Sequence, residues 1–297
     1  MILTERACIF CNSQDTDVHP AKLSPFIGER IENVNDECFN LLHCKNCGSA
    51  FFDYRYDEDE ISKIYHKYRG EEYQAMRQKY ESWYSPEINR LIGDDKQAIA
   101  SRNANLSKIL KNIPLNNVQS VLDFGGDKGQ YIPEVLNDKN RYVYDISNVD
   151  VLEGITSLRT LQSCYEKEPG GYDLIICAHV LEHLSDPNEV IQELKSLLSK
   201  NGYLYIEVPF DSPFYKNPLD NFQYLFNKYF KFTDLVKKYF ELKTAKYSLM
   251  HEHINFYTQE GLNYLFQENG FKNLYTATSR VYSVIGMSRI ISALYSL

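Results

Sequence analysis

The chain lacks the features that would place it in a membrane or on a secretory route. No apolar run approaches the roughly 20 residues needed to cross a bilayer. The opening "MILTERACIFC" is interrupted by charge at once and does not read as an export signal. Together these absences predict a cytoplasmic protein with no integral membrane segment. An excess of positive charge is also missing: 40 Asp and Glu outnumber 32 Lys and Arg, for a net charge of −8. That balance argues against nucleic acid or an anionic membrane as a general partner. Neither an internal repeat nor a low-complexity linker is present. What remains is ordinary for a globular protein: 297 residues, 43% hydrophobic and 24% charged, enough for one large domain and a small one. Tyr is abundant, at 24 residues, which compositional bias and a ring-stacking ligand surface explain equally well.

An odd number of cysteines, seven, without an export signal does not read as a disulfide framework. Four of them form a pattern. "CIFC" and "CKNC" place Cys8/Cys11 and Cys44/Cys47 in two CxxC pairs with 32 residues between them. Each turn can present two thiolates to one ion, and two turns complete a tetrahedron with no open position. The expected occupant is a structural Zn²⁺, which would staple a region too small to build its own core. Unrelated reduced turns and a redox dithiol are the competing readings; the pairing of two identical motifs favours zinc. No basic helix of a DNA-reading kind accompanies the cysteines, so the region reads as scaffold or substrate platform. Cys38, Cys164 and Cys177 read as buried or free thiols.

Three regions follow: a zinc-binding region over 1–56, helices over 57–115, and an α/β domain over 116–297. The acids of "DEDE" suit a helix N-terminus, and Ile61, Ile64, Tyr65 and Tyr68 then share one face. "NANLSKILKNI" is a later helix, stopped before Pro114. From 118 on, short apolar runs ("VQSVLDF", "RYVYDI", "YDLIICA", "GYLYIEV") alternate with helical patterns. In "PNEVIQELKSLLSK" the stripe is Val190, Ile191, Leu194, Leu197 and Leu198. This alternation predicts a mainly parallel sheet covered on both faces. Residues 211–250 break the rhythm and read as a helical insertion. "KNLYTAT" and "RVYSVIGM" read as two closing strands. The tail "VIGMSRIISALYSL" reads as a final strand plus an apolar contact helix, with dimer formation as one use.

"VLDFGGDKGQY" carries the first candidate chemistry. Asp123 ends a strand, and Gly125, Gly126 and Gly129 follow within six residues. The loop misses GxGxxG, because Asp127 stands where the second glycine would be, and it lacks GK[ST]. Asp145 ends the next strand, 22 residues after Asp123, where an acid can accept hydrogen bonds from both ribose hydroxyls. Further on, His179-x-x-Glu182-His183 matches the HxxEH string of some zinc proteases. That reading needs the histidines on a stable helix, and here the strand "YDLIICA" runs straight into the motif.

With its strand, "YDLII…HVLEHLSDP" resembles the fourth strand and following loop of class I S-adenosylmethionine-dependent methyltransferases. "GGYDL" and "NGYLYIEVP" share the likeness, and "VLDFGGDKGQY" is similar to the first motif of that family with its middle glycine replaced. A CxxC/CxxC head on such a domain, with "HEHINFYTQEGLNYLFQENGF" near the end, resembles the zinc-headed methyltransferases of bacterial glycan and sugar-nucleotide gene clusters. The likeness covers most of the chain and is weakest over 211–250. It implies a Rossmann-like seven-stranded sheet, S-adenosylmethionine as cofactor, and a sugar, nucleotide-sugar or glycan acceptor in surface polysaccharide biosynthesis. Relatives that methylate carbon on keto-sugars carry a further C-terminal domain; this chain stops at Leu297, which favours oxygen as the methylated atom. Carbon, nitrogen and small-metabolite acceptors are alternatives. So, from a different class, is a non-catalytic module that binds the cofactor or a partner, although intact donor motifs argue against it. A base-modifying RNA methyltransferase with a cysteine head fits poorly with the acidic balance and the wide CxxC spacing.

The resemblance places Asp123, Gly125, Gly126, Asp127, Gly129, Asp145, Ile146, Ala178 and His179 at the cofactor. A sulfonium and an α-ammonium do not penalise a negative charge as a pyrophosphate would. Asp127 therefore either meets the ammonium or orients the loop; a residue that points to solvent and caps the next helix is the structural alternative. Transfer to a hydroxyl needs alignment and a base. His183 is the first candidate, and Glu252 and His253 of "HEH" are the second, because the resemblance puts them at the acceptor site. "LEHL" as a fold-stabilising loop is the competing reading for His183, and His251 reads as peripheral. Tyr65, Tyr68, Arg69, Tyr73 and Arg77 form an aromatic and basic face that either holds a sugar phosphate or packs as helical core.

Overall fold

A computed structural model of the protein describes residues 7–32, 38–147, 149–211, 247–284 and 286–297. The first strand, β1 (Thr16–Leu23), is followed by α1 (Pro25–Arg30), β2 (Phe39–Cys44) and β3 (Ala50–Phe52). The expected helical stretch resolves into α2 (Glu58–Tyr65), α3 (Glu71–Tyr80), α4 (Pro86–Leu91) and α5 (Lys96–Ile109). Asp57 starts α2 with a capping box: its carboxylate accepts from the Glu60 amide, and the Glu60 side chain accepts from the Asp57 amide. Asp95 caps α5 by accepting from the amides of Gln97 and Ala98.

The α/β part contains β4 (Ser120–Phe124), β5 (Asn140–Tyr144), β6 (Thr156–Leu158), α6 (Leu161–Lys167), β7 (Tyr172–Ala178), α7 (Pro187–Leu197) and β8 (Leu198–Pro209). After residues 212–246, where most of the expected insertion falls and which lie outside the described residues, come β9 (Ser248–Met250) and β10 (Asn255–Phe256). The chain ends with α8 (Gln259–Glu268), β11 (Lys272–Ser283) and β12 (Gly286–Ser296). Seven strands form one sheet in the order β11-β12-β8-β7-β4-β5-β6. The pairs β5–β6, β4–β5, β4–β7 and β7–β8 are parallel, and β12 runs antiparallel between β8 and β11. This is the mainly parallel sheet that the alternating pattern predicted, in the seven-stranded Rossmann-like form that the resemblance implied.

All five residues of β4 are buried, as expected for a central parallel strand covered on both faces. α7 lays Ile191, Leu194 and Leu197 against the sheet, each worth about 1.5–3 kcal/mol of burial. Its Asp186 cap and Pro187 at the first helical position set where it begins. The tail corrects one expectation. Residues 286–296 form a single strand, not a strand plus a contact helix, because Ile290, Ile291, Ala293 and Leu294 are buried between β8 and β11. The first closing strand likewise runs through Ser283, past the break expected near Arg280.

A second sheet has the order β10-β3-β2-β1-β9. Its middle comes from the cysteine-bearing region and its two edges come from residues 248–256. β9 pairs parallel with β1, and β10 pairs antiparallel with β3. The segment His251-Glu252-His253 therefore connects opposite edges of one sheet. The cores also merge: Cys8, Phe10, Cys44, Cys47 and Phe51 share one apolar cluster with Leu122, Ile175 and Tyr257. The N-terminal region is thus packed onto the α/β domain, with Phe10 edge-on to Tyr257 at 4.9 Å.

Candidate active site

Strand order reverses at β4: β5 lies on one side and the later strand β7 on the other. A crevice opens at the carboxyl ends of strands at such a switch point, and ligands bind there in open α/β sheets. The loop after β4 is the glycine loop. Gly125 has φ +74°, and a Cβ on it would sit 2.5 Å from Val180 Cγ2. A Cβ on Gly126 would sit 2.3 Å from the Asp123 carboxyl carbon. Both positions therefore exclude any side chain and leave backbone facing the crevice.

Asp123 is buried, and its Oδ2 has no hydrogen-bond partner. Burial raises its carboxyl to about 7 against the pull of Arg102, and Asp145, Asp127 and Glu207 push the same way. A cationic ligand group would relieve this unsatisfied site. The Asp145 Oδ2 accepts from the Asp127 amide at 2.9 Å, and its Oδ1 accepts from the Ser147 amide at 2.8 Å. Ala178 ends β7, His179 follows it with φ +59°, and Ile146, next to Asp145, is 70% exposed. The orphaned carboxylate and the glycine cradle fit a ligand that joins a cationic group to a ribose.

Asp127 neither points to solvent nor caps a helix. Its carboxylate pairs with Arg69 at 3.1 Å and accepts from Gln130 at 3.1 Å. It holds φ +53°, in the region that favours glycine. The negative charge in the glycine loop thus answers a positive charge from the segment between α2 and α3. Arg69 also donates to the Ile92 carbonyl at 2.6 Å.

Beyond β7, the HxxEH string does not lie on a helix. Leu181–His183 form a single 3-10 turn. This turn and the 251–253 connection meet, bringing together residues far apart in sequence. His183 Nδ1 lies 3.0 Å from the Glu252 carbonyl and 3.0 Å from the Tyr65 hydroxyl. A carbonyl can only accept, so a bond to it requires the proton on Nδ1, which leaves the lone pair on Nε2. The His253 ring packs edge-on against it at 4.8 Å. Burial lowers the His183 pKa despite the pull of Glu182, so the ring is neutral at neutral pH. His253 differs: Asp211, 2.8 Å from its Nδ1, outweighs burial and raises it to about 9.

Glu182 forms the floor. It is fully buried, and both of its oxygens lack a well-aligned hydrogen bond. His179 Nδ1 lies 3.2 Å and His183 Nε2 3.8 Å from its Oε1, neither aligned for a hydrogen bond. Burial opposes its charge, yet His179, His183 and His253 hold its carboxyl at about 2. Behind it, Arg102 donates to Glu207 at 2.5 Å, and Glu207 also faces His179 Nε2 at 3.3 Å. Glu207 stays ionised, at about 2, because Arg102 and His179 outweigh its burial.

The Glu252 side chain faces away from His183. It accepts from the Tyr73 hydroxyl and pairs with Arg77 at 3.3 Å. His251 approaches it at 3.6 Å, and these partners outweigh burial to keep it well below the usual carboxylate range. Arg77 is buried and also pairs with Glu81 at 2.8 Å. Tyr73 and Arg77 are therefore core, and Arg69 is committed to the glycine loop. The face read as a sugar-phosphate site is largely spent on internal pairs. Tyr65 is the exception, through its contact with His183.

Among the described residues, two groups could hold a metal. One is Cys8, Cys11, Cys44 and Cys47, whose sulfurs all lie within 4.8 Å of one another. The close pairs cross between turns, Cys8 with Cys47 at 3.7 Å and Cys11 with Cys44 at 3.6 Å. A tetrahedron with ~2.3 Å metal–sulfur bonds has edges of about 3.8 Å. The set therefore matches a four-thiolate ion cage. The other group is Glu182, His183 and His253, with one ligand atom from each within 4.8 Å. His253 there already carries the positive charge that a cation would bring.

Sequence reasoning missed Asp211, Arg102 and Glu207. Glu207 had a signal, an acid inside the apolar run "YLYIEVP". Asp211 and Arg102 had none, since each is meaningful only through its partner.

Comparison with known proteins shows the family. The family described as "Methyltransferase domain" matches residues 79–276, and the chain belongs to that family. Among curated proteins it is similar to the ubiquinone biosynthesis O-methyltransferase of Xylella fastidiosa, 26% identical over 161 residues, which cover 50% of this chain and 61% of that one. It is also similar to the tRNA U34 carboxymethyltransferase of Campylobacter fetus, 39% identical over 62 residues, covering 20% of this chain and 22% of that one. The chain thus spans less than two thirds of the length of either relative. A solved structure with a similar fold is the 1,6-didemethyltoxoflavin-N1-methyltransferase of Burkholderia thailandensis, at TM-score 0.47 and 14% identity, covering 86% of this chain and 97% of that one.

Proposed function

We propose that the chain transfers a methyl group from S-adenosylmethionine to a hydroxyl of a sugar or nucleotide-linked sugar, with His183 as the base. The observation that carries the reading is the His183 ring, held through Nδ1 at the Glu252 carbonyl, in the turn that follows β7 and whose Val180 packs on the glycine loop. When bound, S-adenosylmethionine supplies a sulfonium-bound methyl group. Asp123, the backbone of Gly125, Gly126 and Gly129, and Asp145 would hold it, with Ile146, Ala178 and His179 lining the adenosine side.

His183 Nε2 accepts the hydroxyl proton, and the Glu182 carboxylate, 3.8 Å away, stabilises the imidazolium that forms. His253, held as a cation by Asp211, orients the acceptor oxygen as a donor. Glu252 acts through its carbonyl, which fixes the His183 tautomer, while its carboxylate braces the segment against Arg77 and Tyr73. The four cysteines hold a structural Zn²⁺. The oxygen assignment draws support from the O-methyltransferase among the relatives. The sugar assignment rests on the resemblance of the cysteine-headed architecture. Charge favours a second reading: a cationic His253 beside a neutral His183 also suits a carbonyl-bearing sugar, whose developing enolate it would stabilise during methylation at carbon.

The test is release of S-adenosylhomocysteine with a panel of nucleotide-linked sugars, followed by locating the new methyl group by NMR. A methoxy product supports the proposal and a new carbon–carbon bond supports the second reading. Turnover with quinols or amines, and none with sugars, overturns both.

A further inference from the structure

The cysteine-bearing sheet does more than pack beside the catalytic turn, because two of its buried polar side chains grip that turn. Arg55 follows β3 and is 2% exposed. Its Nε donates to the Ser185 carbonyl at 2.8 Å, and one terminal nitrogen donates to the Leu184 carbonyl at 2.7 Å. The same nitrogen donates to Asn255 Oδ1 at 2.8 Å, and the other terminal nitrogen donates to the Phe52 carbonyl at 3.1 Å. Asn255, in β10, is fully buried. Its amide donates to the carbonyls of Leu181 at 3.0 Å and Leu184 at 2.8 Å. The two side chains thus hold the carbonyls on both sides of His183, and Asn255 links them through Arg55.

A buried guanidinium is costly unless its donors are satisfied, and burial lowers this one to about 10. Pure packing would favour an apolar residue at such a position. A planar fork of fixed donors is suited to holding backbone in register instead. What it holds is the alignment of the 181–185 turn with the 251–255 segment. The Ile254 amide donates to the Glu182 carbonyl at 2.8 Å, and His183 Nδ1 reaches the Glu252 carbonyl across the same junction.

We propose that Arg55 and Asn255 are positioning residues for methyl transfer: they carry the geometry of the cysteine-bearing sheet to the catalytic turn and so fix the tautomer and burial of His183. This rests on the reading of His183 as the base. It also gives the cysteine cluster a role in catalysis, since Arg55 follows β3 in the region that the cluster fastens.

The test is two-bond ¹⁵N NMR of the histidine rings in the zinc-loaded full chain, with His183→Ala assigning the signal. In the wild type the ring is expected as the Nδ1–H tautomer. In Asn255→Asp, which keeps the size but loses both donations, the tautomers mix. Arg55→Lys gives the same change in smaller degree. In both variants zinc content and affinity for S-adenosylhomocysteine stay within about twofold of wild type, which separates positioning from loss of fold. Should Asn255→Asp not fold, Arg55→Lys alone decides. A wild-type ring that is Nε2–H removes the base reading. A wild-type ring as expected, with unchanged signals in the folded variants, overturns the positioning role alone.

Discussion

The glycine-loop side and the histidine side of the crevice are built on opposite plans. Asp123, Gly125, Asp127 and Asp145 come from one β-loop-β stretch, and their contacts are mostly made within about 20 residues of chain. His183, His253 and Tyr65 come from three distant segments, and their geometry depends on a sheet assembled from both halves of the chain. The first side is local chemistry on a standard strand end. The second is tertiary, held by Arg55, Asn255 and the region that the cysteine cluster fastens. The difference teaches where damage should spread: changes on the histidine side should cost catalysis without cofactor binding, and changes in the cysteine cluster should reach the histidines before the glycine loop.

The largest expected effect is His183→Gln. Removal of the base should lower the rate of S-adenosylhomocysteine release by about 10²–10⁴-fold, with cofactor affinity unchanged. A matching loss of affinity in calorimetry would erase the distinction between the two sides.

Next comes Cys44→Ser. One lost thiolate should drop bound zinc from one per chain to near none by metal analysis. Hydrogen exchange should then rise in β1–β3 and in 248–256, while β4 and β5 keep their protection. Uniform exchange throughout would mean that the two regions fold as one unit.

The pH dependence separates the histidines from each other. His183 must be neutral, so the rate should fall as pH drops through its depressed pKa, below 6.5. His253 must be charged, so the rate should fall again as pH rises through about 9. For stability the raised His253 contributes fully below 6.5 and loses that contribution as pH rises through about 9. Its ring is 33% exposed, so solvent reduces the effect to roughly 1–2 kcal/mol. Thermal melts of Asp211→Asn should lack this alkaline decline.

The smallest effect belongs to Asp127→Gly. It removes the pair with Arg69 but relieves a left-handed backbone that costs a non-glycine residue about 1–2 kcal/mol. Cofactor affinity should change by less than about fivefold. A loss of fiftyfold or more would place Asp127 on the ligand itself.

The same contrast explains what could be read from the sequence. The sheet was legible because apolar runs and the stripe of α7 are local patterns, and the glycine loop was legible for the same reason. The CxxC pairs were legible because spacing alone carries their geometry. The role of Asp127 was not, because its partner Arg69 lies 58 residues earlier. Nor was the orientation of Glu252: "HEH" places three polar groups in a row, but only the sheet shows that its carboxylate turns toward Arg77 while its carbonyl meets His183. The tail was misread because "VIGMSRIISALYSL" is apolar enough for either a helix or a strand, and burial between two strands decided it.

The most direct test of the account is calorimetric titration of the zinc-loaded protein with S-adenosylmethionine and S-adenosylhomocysteine, repeated on Asp145→Asn and His183→Gln. The account predicts one site per chain with micromolar affinity, about −8 kcal/mol, weakened by Asp145→Asn and untouched by His183→Gln. No binding by a folded, zinc-loaded wild type would contradict it.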